Sequence, residues 1–282
     1  MTASASCVFI TQLVVPKQGS TEAECEDAVT VLPGHPHDHM VLEPFSAGVC
    51  DGATESALAK DWARLLSRAA AEHAMREPDL LAGGPAFAEF ASAAVELWEP
   101  WLARYTQERH DEGRPLKWYE HTKLAEGAYA TLLAVRVDPE PGGTPGGTAS
   151  AWRWRAAALG DSCLFHLRDK RLVRTFPVTA VEEFGTTPDL FGSRNHDVGL
   201  LARRTGFTEG WSDAGDKLLL MTDALAAWLL SAPDQDAAVR QLLEYAGPDD
   251  LGRFTNWLND LRDRRHLRND DVAFVRIDFE GR

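Results

Sequence analysis

The chain has 282 residues, of which 44% are hydrophobic and 26% are charged, a composition typical of a globular protein with one sizeable core. Its 43 acidic and 29 basic side chains give a formal net charge of -14, which disfavours binding to nucleic acid or to an anionic membrane surface. The most apolar run, residues 218–230, is interrupted by Thr222 and Asp223. We therefore expect neither a membrane span nor a nucleic-acid partner.

The N-terminus and the cysteines predict a cytoplasmic protein. No Lys or Arg precedes Lys17 and no long apolar stretch follows it, so the basic start and apolar centre of a secretory signal are missing. The cysteines are widely scattered and form no C-x-x-C pair, which is typical of buried thiols in a reducing compartment. They are Cys7, Cys25, Cys50 and Cys163.

The first part of the chain predicts three strands and then a helix. Residues 7–15 and 27–32 are short and rich in β-branched side chains, and residues 45–50 have the composition of a buried strand. Apolar residues then recur at helical spacing from Thr54 onwards. The pair Asp51-Gly52 therefore stands at a junction between a strand and a helix.

The middle of the chain predicts one long helix, over residues 86–109, with a bend before Pro100. Two predicted strands follow, on either side of a Pro- and Gly-rich segment: 130–137 and 152–159. That segment, residues 138–149, could be a linker between domains. Because strand patterns flank it directly, we interpret it as a loop inside a hairpin and the chain as a single domain over residues 1–282.

The rest of the chain predicts more strands and three further helices. Residues 152–176 have a strand-like composition almost throughout, which indicates an antiparallel meander. Residues 176–215 have little periodicity, which indicates an irregular surface segment. The remaining predicted elements are a strand at 217–221, helices at 224–230, 235–245 and 249–265, and a terminal strand at 272–279.

Five aspartates stand beside predicted strand ends, among residues too apolar for an ordinary solvated charge: Asp27, Asp51, Asp161, Asp223 and Asp270. Carboxylates that converge repel one another unless a divalent cation neutralises them, and an all-oxygen cluster suits Mg²⁺ or Mn²⁺. Aspartate at a strand end is also a common turn residue. The spacing alone therefore leaves both interpretations open.

The order of these acids resembles the metal-dependent phosphatases of the protein phosphatase 2C family. The family motifs are an acidic E-D or Q-D pair, D-G-[HM]-G, G-D-S, T-D-G and D-N-[IV]-T. The corresponding segments here are Glu26-Asp27, Asp51-Gly52, Gly160-Asp161-Ser162, Thr222-Asp223 and Asn269-Asp270-Asp271. The resemblance runs from about residue 7 to the last strand and indicates a divergent bacterial branch.

The resemblance implies an α+β fold, a four-layer α-β-β-α sandwich in which two antiparallel sheets are flanked by helices. It also implies two Mg²⁺ or Mn²⁺ ions, with a third, weaker site, and hydrolysis of phosphoserine or phosphothreonine by a water bridging the metals. The expected partners are a phosphorylated protein and a cognate protein kinase.

The resemblance also assigns roles to individual residues. Asp51 would bridge both metal ions, the backbone carbonyl of Gly52 would complete one site, and Asp223 and Asp270 would bind the other ion. The pair Glu26-Asp27 matches the acids that hold metal-bound waters. Asp161 matches the acid close to the third, weaker site.

Two departures from the family pattern concern the substrate. The arginine that grips the phosphate falls on Glu22, and the position that often carries a proton-donating His is Ala53. Basic residues that could replace the arginine are Lys17, Arg203, Arg204 and the arginines between Arg262 and Arg268.

Two alternatives to a protein phosphatase stay open. The missing arginine suggests a catalytically weak or inactive relative that binds a partner without turning it over. A metal-dependent hydrolase of another phosphoester would use the same metals, and residues 176–215 would then determine its substrate. Metal-dependent turnover separates the first alternative from an enzyme, because a pure binding module has little reason to keep mutually repelling acids.

Overall fold

Two antiparallel sheets of five strands each lie at the centre of the computed structural model, which describes residues 6–34, 38–140, 151–185 and 187–281. The strands in these ranges are β1 (Ser6–Val15), β2 (Ala28–Leu32), β3 (Phe45–Cys50), β4 (Tyr129–Ala130), β5 (Leu132–Glu140), β6 (Ala151–Leu159), β7 (Cys163–Arg168), β8 (Arg171–Phe176), β9 (Phe191–Gly192), β10 (Gly206–Ser212), β11 (Lys217–Met221) and β12 (Val272–Gly281). One sheet has the order β1-β12-β11-β7-β8, and the other has the order β10-β6-β5-β3-β2.

Helices cover the outer face of each sheet. Those in the described ranges are α1 (Ala59–Arg76), α2 (Gly84–Glu96), α3 (Trp98–Asp111), α4 (Trp118–Glu126), α5 (Val198–Arg204), α6 (Asp223–Ser231), α7 (Gln235–Leu242) and α8 (Leu251–Asp263). None of these helices combines the length and the apolar character that a membrane span requires.

Three apolar clusters lie between four layers. The first joins α1 and α2 to the sheet that contains β6, and it includes Trp62 and Phe90. The second fills the space between the two sheets and includes Trp152 and Phe279. The third joins the other sheet to α6, α7 and α8 around Phe254. The order of layers is α-β-β-α, which confirms the predicted α+β sandwich.

The inner strands are apolar on both faces because each face meets a different cluster. In β11, Leu218 and Leu220 face the space between the sheets, whereas Leu219 and Met221 face the helices. This arrangement explains why the strand reads as a continuous apolar run. The four cysteines are also buried, as predicted.

The meander predicted over residues 152–176 is correct for β7 and β8, which are antiparallel neighbours, and wrong for β6. Strand β6 pairs with β5 and β10 in one sheet, whereas β7 and β8 pair in the other. The chain changes sheets at Gly160, whose φ is +99°. A Cβ there would lie 2.7 Å from the Cγ2 of Thr131, so this tight crossing requires glycine.

The segment predicted as irregular, residues 176–215, contains α5 and the strand β10. Strand β10 pairs with β6 along its whole length. Its sequence contains Gly206 and Gly210, which weaken a strand pattern. A Cβ at Gly210 would lie 2.3 Å from the ring of Trp154, so the glycine allows the indole to lie against the strand.

Several helix boundaries also differ from the predictions. The predicted helix 86–109 is two helices, α2 and α3, which meet at Leu97, and Pro100 lies in the first turn of α3, where it is tolerated. The helix predicted from Thr54 begins at Ala59, after a series of turns. Helix α4 was not predicted.

The Pro- and Gly-rich loop predicted at 138–149 falls largely outside the described residues, which omit 141–150. Strand β5 extends to Glu140, which pairs with Ala151 at the start of β6. The two strands on either side of the segment are thus antiparallel neighbours, as a hairpin requires.

Candidate active site

A cavity of about 800 Å³ lies at one end of the sandwich, and its lining includes a group of acidic residues. It brings together four of the five predicted aspartates, each from a different junction at the end of a strand. Residues on its wall include Asp51, Gly52, Glu55, Glu126, Tyr129, Asp161, Asp223, Arg268 and Asp270. The fifth aspartate, Asp27, lies next to this wall without lining it.

The backbone of Asp51 is fixed by Thr131 at the start of β5. The Asp51 amide donates to the Thr131 hydroxyl (3.1 Å), and the Thr131 amide donates to the Asp51 carbonyl (2.8 Å). Ser162 also shares a hydrogen bond with that hydroxyl, at 2.8 Å. Burial raises the pKa of the Asp51 carboxyl well above its usual range, and the neighbouring carboxylates, Asp27 first, raise it further.

Gly52 allows the chain to pass closely between two other segments. Its amide donates to the carbonyl of Glu26 (3.2 Å). A Cβ at this position would lie 2.9 Å from the Glu26 carbonyl and 3.0 Å from the backbone of Ala59. Glycine is therefore needed here to keep the loop that carries Asp51 against the start of α1.

Asp27 is buried behind the cavity and is held by Thr222. The Thr222 hydroxyl donates to Oδ2 of Asp27 (2.7 Å) and accepts from the amide of Ala273 (2.9 Å). The other oxygen, Oδ1, is buried without a hydrogen-bond partner among the described residues. Burial raises the pKa of Asp27 well above its usual range, and the charges of Asp271 and Asp223 add to this effect.

Asp223 and Asp270 share one guanidinium group. Nη2 of Arg268 contacts Oδ2 of Asp223 and lies 3.3 Å from Oδ2 of Asp270. Oδ1 of Asp223 is buried and has no partner in the described ranges. Burial and the Asp223 charge raise the pKa of Asp270.

Asp161 completes the acidic wall from the turn between β6 and β7. Its carboxyl is buried, and burial together with the charge of Asp223 raises its pKa to about 6. Burial and the neighbouring carboxylates thus raise the pKa values of acids from several strand ends, as expected for like charges in a poorly solvated site.

Two acidic residues that flank the aspartates position the loop between β1 and β2. The carboxylate of Asp271 accepts from the amides of Lys17 (2.7 Å) and Glu26 (2.8 Å). Glu26 turns its own side chain towards Thr54 (2.5 Å) and Lys17 (3.4 Å). Sequence reasoning did not single out Asp271, although the replacement of the family asparagine by a second acid was the available signal.

Only one of the basic residues considered as a phosphate ligand lines the cavity. Arg262 is buried and donates to the carbonyls of Pro16 (3.2 Å) and Asp270 (2.6 Å). Lys17 pairs with Glu26, and Arg204 lies 3.6 Å from Asp189, a pair that does not line the cavity. Within the described residues, Arg268 is the one cation on the cavity wall.

The acidic oxygens at the cavity are of the kind that binds Mg²⁺ or Mn²⁺, although their arrangement is more open than in a metal-bound site. In the described parts of the chain, no three His, Cys, Asp or Glu side chains are arranged closely enough to hold a metal ion. The oxygens of Asp27 and Asp223 that lack partners, and the facing carboxylates on the cavity wall, are hard anionic donors whose burial costs free energy unless a cation neutralises them.

Comparison with solved structures identifies the fold. The chain is similar to a bacterial serine phosphatase, at 14% identity and a TM-score of 0.55, with 97% of this chain and 98% of that chain covered. It is also similar to the PP2C phosphatase domain and a fragment of the regulatory domain of SpoIIE from Bacillus subtilis, at 13% identity and a TM-score of 0.52. That comparison covers 99% of this chain and 66% of that chain.

A third similar structure is the catalytic domain of the serine threonine protein phosphatase PstP in complex with two manganese ions. The identity is 18% and the TM-score 0.50, with 98% of this chain and 99% of that chain covered. No protein-family model and no curated protein sequence matches the chain. The layers, the sheets and these likenesses together show that the chain has the protein phosphatase 2C fold, which confirms the resemblance predicted from its acidic motifs.

Proposed function

We propose that the chain is a Mg²⁺- or Mn²⁺-dependent serine/threonine protein phosphatase, a divergent member of the protein phosphatase 2C family, acting as a single domain over residues 1–282. The observation that supports this most strongly is the meeting of four strand-end aspartates in one cavity of this fold. Acids that repel one another in a poorly solvated site are costly, and metal-dependent chemistry is the reason to keep them.

In this proposal, Asp51, Asp223 and Asp270 hold the metal ions, the Gly52 carbonyl contributes to one site, and Asp161 borders a third. Bound divalent cations would supply an activated water at neutral pH and neutralise charge at phosphorus. Thr131 fixes the backbone of Asp51, so the position of that ligand is set before substrate arrives. Asp27 is held by Thr222 in the layer behind the ligands.

The proposed substrate is a phosphoserine or phosphothreonine side chain of a protein, and a cognate protein kinase is the natural source of that group. PstP, one of the similar structures, is described as a serine threonine protein phosphatase. We place the activity in the cytoplasm, where the buried thiols of this chain stay reduced.

A second candidate is a phosphatase-like binding module with weak or no turnover. Two observations favour it. Glu22, at the position of the family's phosphate-binding arginine, is exposed on a short 3₁₀ helix, and two of the proposed metal ligands are paired with Arg268.

The experiment that separates the candidates is hydrolysis of p-nitrophenyl phosphate and of a phosphothreonine peptide in Mn²⁺, Mg²⁺ or EDTA. The variants are Asp51→Asn and Asp223→Asn, with the exposed Asp249→Asn as a matched control. We expect metal-dependent turnover that falls more than about 100-fold in both site variants, since even residues that only orient metal ligands change activity 10- to 100-fold. Asp249→Asn should be unchanged.

Two results would count against the enzyme. Turnover that persists in EDTA would contradict a metal mechanism. A folded wild-type protein that is inactive with both metals would favour the binding module.

A further inference from the structure

We propose that Arg268 binds the phosphate group of the substrate. This inference rests on the proposed function, because it assigns a phosphate ligand within the same cavity. The first observation is the charge of the cavity wall. Among the residues that the structure describes, the cavity wall carries six carboxylates and one guanidinium, that of Arg268. The acids are Asp51, Glu55, Glu126, Asp161, Asp223 and Asp270. A cationic side chain favours the entry of a phosphate dianion into such a cavity, in addition to any metal ions.

The backbone that carries Arg268 is firmly anchored. Leu267, immediately before it, is buried in the cluster between the sheet and helices α6 to α8. The amide of Leu267 donates to the carbonyl of Leu261 (3.3 Å), and the amide of Asp270 donates to the carbonyl of Arg268 (3.0 Å). The Arg268 side chain itself is 57% exposed. A fixed base and an accessible tip suit a side chain that meets a ligand at the cavity mouth.

The contacts that Arg268 makes do not use its whole guanidinium group. Both acidic partners, Asp223 and Asp270, are reached through the single nitrogen Nη2. A guanidinium has five N–H donors in a planar fork that matches two oxygens of a phosphate. Among the described residues Nε and Nη1 have no partner, so they remain for an oxyanion bound beside the two acids.

A neighbouring arginine, Arg264, offers a matched control. Arg264 precedes Arg268 by four residues, is similarly exposed and pairs with Asp260 on helix α8 (2.7 Å), outside the cavity wall. Arg264→Ala removes the same charge from the same region of the chain. A general electrostatic effect would change both variants alike, whereas a direct phosphate contact would change only Arg268→Ala.

The test measures binding of inorganic phosphate to the Mn²⁺-loaded protein by calorimetry, for wild type, Arg268→Ala, Arg268→Lys and Arg264→Ala. We expect phosphate affinity to fall at least tenfold in Arg268→Ala and less in Arg268→Lys, which keeps the charge but not the fork. Arg264→Ala should match wild type. A Mn²⁺ titration of each variant checks that the metal still binds when Arg268 is changed.

Kinetics with p-nitrophenyl phosphate then separate this inference from the proposed function. We expect Arg268→Ala to raise KM at least tenfold. An active wild type whose Arg268→Ala variant keeps its KM and its phosphate affinity would overturn the inference and leave the phosphatase intact. A wild type that binds phosphate through Arg268 but shows no turnover would support the inference and refute the enzyme. A wild type that binds no phosphate overturns the inference whatever its turnover.

Discussion

Two buried aspartates flank strand β11: Asp216 directly before it and Asp223 shortly after it. The two carboxylates differ in their hydrogen-bond partners. The five residues of the strand separate Asp216 from Asp223 by roughly 17 Å or more. Both residues are buried, at 3% and 8% exposure. Asp216 accepts from His166 Nε2 (3.1 Å), from Arg168 Nη2 (2.6 Å) and from the amide of Asp213 (3.1 Å).

At the other end, Asp223 has one oxygen bound by Arg268 and one without a partner in the described residues. The consequences for ionisation are opposite at the two ends. Burial by itself would raise the pKa of Asp216, but hydrogen bonds from His166 and Arg168 lower it to about 2. Next to Asp223, burial and charge raise the pKa of Asp161 to about 6.

Asp216 is thus an acid whose oxygens are bonded within the fold, whereas Asp223 is an acid of the proposed metal site. A buried carboxylate whose oxygens are all bonded strengthens the fold around it, whereas buried carboxylates that face one another weaken it. The acidic cavity therefore costs stability, and the cluster around Asp216 does not. Burial alone does not distinguish the two, because both aspartates are buried.

The largest expected effect on stability is at Asp216, whose carboxylate is fully hydrogen-bonded. Asp216→Ala leaves His166 and Arg168 without their shared acceptor, and we expect the free energy of unfolding to fall by about 3–5 kcal/mol, as when one partner of a buried ion pair is removed. Urea denaturation at pH 7 measures it. The exposed Asp249→Ala should change stability by no more than about 0.5 kcal/mol. Equal losses in the two variants would remove the basis of the comparison.

The next largest effect is stabilisation by a metal ion at the end of β11 that carries Asp223. Mn²⁺ at about 100 times its dissociation constant should raise the free energy of unfolding by about 2.7 kcal/mol, because it binds the folded chain and not the unfolded one. Thermal melting with Mn²⁺ or EDTA measures the difference. Asp51→Asn should abolish it, and Asp216→Asn should keep it. A metal response that depended on Asp216 would place the ion at the wrong end of the strand.

The pH dependence of stability should have opposite signs at the two ends. An aspartate in the unfolded chain ionises near pH 4, below the pKa of about 6 for folded Asp161, so between these values the folded state binds more protons and stability falls as pH rises. Asp161→Asn should make this slope shallower, since Asp27, Asp51 and Asp270 also have raised pKa values, and should stabilise the protein at pH 7 by roughly 1–3 kcal/mol.

The contribution of Asp216, whose folded pKa of about 2 lies below the unfolded value, is instead present above pH 4 and is lost as the pH falls towards 2. Urea denaturation in EDTA from pH 4.5 to 7.5 compares wild type with Asp161→Asn. If the slope were unchanged in the variant, Asp161 would not be the group that titrates in this range.

The smallest effect is expected for Arg168. Its side chain is 46% exposed although Asp216 is buried, so water can partly replace it. We expect Arg168→Ala to lower the free energy of unfolding by about 1 kcal/mol, much less than Asp216→Ala. The same urea experiment measures this loss, and a loss equal to that of Asp216→Ala would show that Arg168 alone holds the carboxylate.

Much of the fold could be predicted from the sequence because its inner strands are short, apolar and ended by Asp or Gly. Strands β3 and β11 have the predicted bounds. Hydrophobic pattern does not show which sheet a strand joins, so β6 and β7 were wrongly placed together. Strand β10 was missed because Gly210 faces the Trp154 ring, a contact that depends on the partner strand.

The candidate site was only partly predictable for a similar reason. The strand-end position of Asp51 and Asp223 can be seen in the sequence. Asp51 directly follows an apolar run, and Asp223 follows one after a single intervening residue. The contact between Arg268 and Asp223 joins residues 45 positions apart, so only the folded chain shows it. The same holds for Asp271, whose two backbone donors come from the loop after β1.

The buried cysteines have a practical consequence for labelling chemistry. Burial raises the pKa of the Cys25 thiol to about 12 and raises that of Cys50 as well, so at neutral pH these groups are protonated and shielded from reagents. A single thiol introduced on the surface should therefore react with a maleimide dye without removal of the native ones. Tyr129 is 39% exposed on the cavity wall, so a fluorophore attached through Tyr129→Cys would report directly on what enters the cavity.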